Sequence, residues 1–97
     1  MSLTNTWQAL GDQNRRQILD LLKKGDKAVA ELAVHFKITL PTLSHHLMVL
    51  KAANLVTATR QGQQIIYSLN LSVFEEVAAE VYNYFNKSKK LIKKKYD

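Results

Sequence analysis

Apolar positions along this chain keep a helical period through the first half, change to a strand period, and then return to a helical one. Leu3, Trp7 and Leu10 share one face and stop at Gly11, which predicts a short first helix. Asp12 is placed to cap a second helix, with Ile18, Leu19, Leu21 and Leu22 on its inner face and Gly25 at its end. Val29, Leu32, Ala33 and Phe36 predict a third helix over Val29 to Phe36. A three-residue turn, Lys37-Ile38-Thr39, leads into a fourth, for which Thr39 is the N-cap and Pro41 sits where its missing N–H costs little. That helix runs to about Ala53 on a Leu43, Leu47 and Leu50 stripe, and Asn54 takes the left-handed conformation that ends it.

Beyond Asn54 the residues become β-branched. Leu55 to Arg60 and Gln64 to Leu69, separated by Gln61-Gly62-Gln63, predict a hairpin. Ser72 is expected to cap a long last helix with Phe74, Val77, Ala78, Val81, Tyr82 and Phe85 on its apolar side. The order is therefore four helices, a hairpin and a helix. The length suits one domain over residues 1–97, mainly α-helical, with a basic tail over about 87–97.

Two short helices across a tight turn, followed at once by a hairpin, make a winged helix-turn-helix. The helix beginning at Leu40 is then the one that enters a major groove. With Leu43, Leu47 and Leu50 inward, Pro41, Ser44, His45 and Met48 point outward and Thr42 lies at the flank. His46 falls on the edge of the core stripe and reads as a packing histidine. Neighbouring helical positions diverge by about 100°, so His45 and His46 are poorly set to chelate one metal. Lys37 precedes the helix, while Arg60, Gln61 and Gln63 ring the hairpin tip.

Charge changes this picture only where it is placed. The net charge of +6 owes most to six lysines in the last eleven residues, and without them the chain holds eight bases and seven acids. The sharper signal is a window from Glu31 to Glu75 with no Asp or Glu between them, holding Lys37, Lys51, Arg60 and all three histidines. A surface that approaches phosphates has to avoid carboxylates. The lysine tail itself suits nucleic acid, a membrane surface, an acidic partner or plain solvent.

The last helix offers more apolar surface than so small a core can use. Leu3 and Trp7 together with Phe74, Val77, Val81 and Phe85 are therefore the candidate dimer interface, with packing onto the chain's own core as the alternative. The absence of cysteine removes disulfides and thiolate metal sites and fits a reducing cytoplasm. No secretory leader or membrane-length apolar run is visible. Three glycines form no phosphate-binding loop and no nucleophile–base pair stands out, so an enzyme is not expected.

The residues from Ala9 to Leu19, from Thr39 to Leu47, from Leu50 to Val56 and from Arg60 to Leu69 resemble ArsR-type winged-helix repressors in order and spacing. The resemblance implies a homodimer closed by the first and last helices on a palindromic operator in double-stranded DNA. It further implies that Thr42, Ser44, His45 and the wing touch that DNA. Gln13-Asn14 replaces a usual Pro-Thr, Asn54 a usual Gly, and Met48 a frequent Lys, which removes one phosphate contact. The family's metal sensors carry thiolates in the third helix, where this chain has Ala33 and His35. Their second site needs histidines on the last helix, which here offers only Glu75, Glu76 and Glu80. No metal and no cofactor are expected. The short layout, ending near Tyr82-Asn83-Tyr84-Phe85-Asn86-Lys87, resembles a metal-free autorepressor subgroup in which a membrane protein relieves repression. Two other readings stay open on the residues: a winged-helix module that binds protein, and a metal-responsive repressor with a site of another kind.

Overall fold

The computed structural model describes the backbone of residues 3–96 and the side chains of residues 5–86. The expectations that concern Leu3 and the lysine side chains from Lys87 onward lie outside the described side chains. In chain order the elements are α1 (Leu3–Leu10), α2 (Gln13–Leu22), β1 (Lys27–Ala28), α3 (Val29–Ala33), α4 (Leu40–Ala52), β2 (Val56–Gln61), β3 (Gln64–Leu69) and α5 (Leu71–Tyr96). This is a winged helix-turn-helix, mostly helical, with a three-stranded antiparallel sheet in the order β1-β3-β2.

Local chemistry explains most of the boundaries. The Asp12 backbone is extended, and its Oδ1 accepts the Arg15 N–H at 3.1 Å, satisfying one of the donors that open α2. Thr39 does the same for α4, accepting the Thr42 N–H at 3.3 Å, and Pro41 follows in the first turn. At the far end of α4 the Asn54 N–H donates to Lys51 O at 2.9 Å and the Leu55 N–H to Leu50 O at 3.0 Å. With φ 61° at Asn54, this is the paired-bond ending that usually takes glycine, and Leu50 and Leu55 are both fully buried beside it.

Four features differ from expectation. The third helix stops at Ala33 rather than Phe36, because the chain tightens into i→i+3 turns there, His35 N–H to Leu32 O and Phe36 N–H to Ala33 O. These turns let Phe36 pack against the core. Ser72 does not cap the last helix. α5 already begins at Leu71, with Asn70 O accepting from the Val73 and Phe74 N–H groups. Finally, Lys27 and Ala28 pair with Tyr67 and Ile66, adding a third strand to the hairpin.

The hairpin turn is also tighter than three residues. Gln61 pairs with Gln64, leaving Gly62 and Gln63 as the loop, and Gly62 has φ 62°. Glycine at that first central position gives the turn a twist that matches its strands. The core gathers Ile18, Leu19 and Leu22 of α2, Leu32 of α3, and Leu43, Leu47 and Leu50 of α4 over Leu55, Val56 and Val73. Tyr67 and Leu69 of β3 pack against it, so the wing is anchored at its base while its tip stays exposed. Burying each such leucine is worth about 1.5–3 kcal/mol, enough to fix how α4 is presented.

Candidate nucleic-acid interface

Leu43, Leu47 and Leu50 are at most 1% exposed, so they hold one face of α4 against the core and turn the other outward. Pro41, Thr42, Ser44, His45 and Met48 are all exposed. At 3.6 residues per turn, Pro41, Ser44 and Met48 fall within about 60° of one another, while His45 lies about 40° to the other side of Pro41. The structure resolves these residues further than sequence spacing could. His45 borders a cleft toward α1, lined also by Asn5, Gln8, Arg15, Val49 and Ala52. Met48, 65% exposed, holds the middle of the face.

Thr42 is exposed, but its hydroxyl lies 2.9 Å from that of Thr39 and serves the helix cap. Lys37 is exposed in the turn before α4. Arg60, Gln61 and Gln63 are exposed at the wing tip, where the Arg60 Nε–H donates to Gly62 O at 3.3 Å. The wing arginine is thus held beside its own turn.

His46 behaves differently from His45. It is 8% exposed, and its Nδ1 lies 3.2 Å from Arg15 Nη1 and 3.9 Å from Asp12 Oδ1. A guanidinium only donates, so in the contact with Arg15 it is Nδ1 that accepts. This is the packing role expected of it. Burial raises the Asp12 carboxyl pKa, but the Arg15 backbone N–H, the nearby His46 when charged, the Asn14 N–H and the Arg15 guanidinium outweigh that. The net effect holds Asp12 below the ordinary carboxylate value.

Sequence reasoning missed the work of Arg15 and Arg16. Arg15 donates from Nε to Ala9 O at 2.8 Å and from Nη2 to Gln8 O at 3.1 Å, and Arg16 Nη1 reaches Leu10 O at 2.7 Å. Ala9 O and Leu10 O are carbonyls that α1 leaves unpaired at its end, Gln8 O also accepts the Gly11 N–H at 3.1 Å, and α1 has no basic residue of its own in its last turn. Arg15 therefore joins α1, α2 and α4 at one point. Two adjacent arginines just after a helix stop were the available signal.

Trp7 and the far part of α5 face a shared, mainly apolar cleft lined by Trp7, Glu80, Val81, Tyr84 and Phe85. Trp7 is 52% exposed, Tyr84 69% and Phe85 64%. Phe74 and Val77, expected at the same interface, are partly buried and lean on the chain's own core.

Among the described residues, no group of three or more His, Cys, Asp or Glu side chains is placed to hold a metal ion. The His45 and His46 ring centroids are 6.1 Å apart with planes at 54°, and His35 is exposed on the α3 side of the molecule. Among the described residues, no helix is long and apolar enough to cross a membrane.

An exposed polar helix face beside a wing, on a carboxylate-free stretch, defines a DNA-binding regulator. Residues 12–58 match the model of the bacterial regulatory protein, arsR family. The chain is 44% identical over 85 residues to the transcriptional repressor SdpR of Bacillus subtilis, covering 88% of this chain and 94% of that one. The crystal structure of an ArsR family transcriptional regulator, RHA00566, superposes with a TM-score of 0.84 at 28% identity, over 90% of this chain and 96% of its own. The homodimeric winged helix-turn-helix DNA-binding domain of Mb0332 from Mycobacterium bovis matches at a TM-score of 0.66 and 32% identity, over 82% and 80%. The chain belongs to the arsR family of bacterial regulatory proteins. It is a DNA-binding transcriptional repressor of that family and not an enzyme.

Proposed function

We propose that this repressor acts as a homodimer on a palindromic operator, with α4 of each protomer in one of two major-groove half-sites about one helical turn apart. One observation carries the reading. The face of α4 opposite the leucine stripe is wholly exposed, and it lies in the stretch between Glu31 and Glu75 that holds no carboxylate. Pro41, Ser44 and His45 face the bases, Thr42 lies at the flank, Lys37 meets phosphate, and Arg60, Gln61 and Gln63 of the wing meet the adjoining backbone or minor groove.

Dimerisation is supported by the cleft between Trp7, Val81 and Phe85, an exposed apolar surface on the same elements that the family resemblance assigns to self-association. The Mb0332 domain, a neighbour of this fold, is itself homodimeric. Repression here is independent of metal. The chain has no cysteine, Ala33 and His35 occupy the third-helix positions of the thiolate site, and zinc wants several nitrogen or sulfur donors together. Action in the cytoplasm and release by a membrane protein complete the reading and rest on the subgroup resemblance.

Selection of bound duplexes from a random pool tests it. The expected outcome is an enriched site with two-fold symmetry, bound with an affinity that falls steeply with salt. Changing both Ser44 and His45 to Ala is expected to weaken binding to that site while leaving the fold intact. Enrichment of sites without symmetry overturns the dimer, and no enrichment overturns the DNA-reading face.

A further inference from the structure

The outward face of α4 carries a large apolar side chain at its centre. Met48 is 65% exposed, and its neighbours one turn either way, Ser44, His45, Lys51 and Ala52, are exposed as well. The core takes no part of this side chain, since Leu47 and Leu50 fill the inner face on either side of it. An apolar group of this size on a polar, carboxylate-free face calls for an apolar partner in whatever the face meets.

A major groove offers one such partner on its base edges, the C5-methyl of thymine, whereas every other feature of the pattern is a hydrogen-bond donor or acceptor. A thioether has no donor and only a weak acceptor, so it gains nothing from the amino groups of cytosine or adenine and leaves them desolvated. Its unbranched, polarizable chain can settle on a methyl group without a demanding geometry.

We propose that Met48 is a specificity-determining residue that reads a thymine methyl, so that each operator half-site carries a T·A pair beneath the middle of α4. The proposal rests on the reading of α4 as the recognition helix and adds a base preference to it. In the family resemblance, Met48 stands where a phosphate-binding lysine is frequent.

Deoxyuridine, which pairs as thymine does but lacks the methyl, isolates this contact. Each thymine of the selected duplex is replaced in turn by deoxyuridine, symmetrically in both half-sites, and the affinity of the full chain is measured at fixed salt. One symmetric position is expected to weaken wild-type binding by about fourfold per half-site, the worth of one buried methyl-sized group. Met48→Ala is expected to bind thymine and deoxyuridine there equally, and Met48→Leu to keep the preference. Circular dichroism is expected to show both variants folded, since the side chain is outside the core. An unchanged deoxyuridine profile in Met48→Ala, or a wild-type profile with no sensitive thymine, overturns the inference while leaving a selected palindrome standing. Failure to select any duplex removes the recognition-helix reading and this inference with it.

Discussion

Two parts of the molecule treat their apolar side chains in opposite ways. From α2 to the first turns of α5, one set of large apolar residues closes over itself, with Ile18, Leu32, Leu43, Leu47, Leu50 and Leu55 at most 1% exposed, and the open ones, such as Val34, Leu40 and Met48, are scattered along the chain. From Tyr82 onward, α5 leaves Tyr82, Tyr84 and Phe85 open, with Trp7 beside them across a cleft. Val73, Phe74 and Val77 mark the change, since they still lean on the core. The body holds α4 and the wing in place by its own packing, whereas the stretch of α5 around Tyr82 to Phe85 leaves an apolar surface uncovered. Stability and association should therefore respond to different residues.

The strongest test of that division is Leu47→Ala. Leu47 is fully buried on the inner face of α4, and the substitution should lower the unfolding free energy by about 2–5 kcal/mol, measured in urea. A loss below about 1 kcal/mol would show that α4 is not held by this core. Next in size is Phe85→Glu, which sets a carboxylate on the open cleft beside Glu80. Sedimentation should show a dimer weakened at least about 30-fold, the effect of a hot-spot residue of about 2 kcal/mol. The body should keep its helix content, although its unfolding midpoint will depend on protein concentration wherever the dimer is populated. Equal dimerisation in the variant would mean that this cleft is not the closing surface.

The division is partly legible in the sequence. Helical stripes such as Leu43/Leu47/Leu50 and the change to β-branched residues after Asn54 identify elements because their period is long enough to be unambiguous. β1 escaped because two residues, Lys27 and Ala28, carry no period and become a strand only by pairing with Tyr67 and Ile66. The early end of α3 escaped because Phe36 stays at an inward spacing even when the turn tightens. Which apolar residues of α5 are internal and which are open is likewise a tertiary fact. Phe74, Val77, Val81 and Phe85 lie on one stripe, and only the position of the core separates the first pair from the second. For the candidate site, exposure of Pro41, Ser44 and His45 followed from the stripe. The clasp of Arg15 on Gln8 O, Ala9 O and His46 joins residues up to 31 positions apart, and the adjacent arginines after the first helix were its one trace in the sequence.

A smaller effect is expected at Asp12, which belongs wholly to the body. Asp12→Ala removes the cap of α2 and should cost about 1 kcal/mol. Its folded pKa lies below the unfolded one, so the charged form contributes stability that is fully present above the unfolded value of about 3.9. That contribution is lost as pH falls through the folded value. Asp12→Asn keeps a capping oxygen but does not titrate. Its stability difference from wild type should therefore shrink between pH 5 and acid, and a difference that grows there would reverse the assignment. Dimer affinity at neutral pH should not move in either variant.

The finest test sits at Asn54, where α4 hands over to the wing. Its φ of 61° would suit glycine, which meets no steric penalty there, yet glycine also has more freedom to lose on folding. Asparagine tolerates this conformation better than other residues with a side chain. On the backbone the two effects oppose one another, so Asn54→Gly should change the unfolding free energy by no more than about 0.5 kcal/mol in either direction apart from what the side chain's own interaction contributes. Asn54→Ala keeps the Cβ without the amide that helps asparagine adopt this geometry, and should be the less stable of the two. Because the bonds from Asn54 N–H to Lys51 O and from Leu55 N–H to Leu50 O set the angle at which β2 leaves α4, any change should appear in the body's stability and in operator affinity together. A variant that instead altered self-association would show that the body and the far part of α5 are not separable, and the comparison would have to be redrawn around the helix end that joins α4 to the wing.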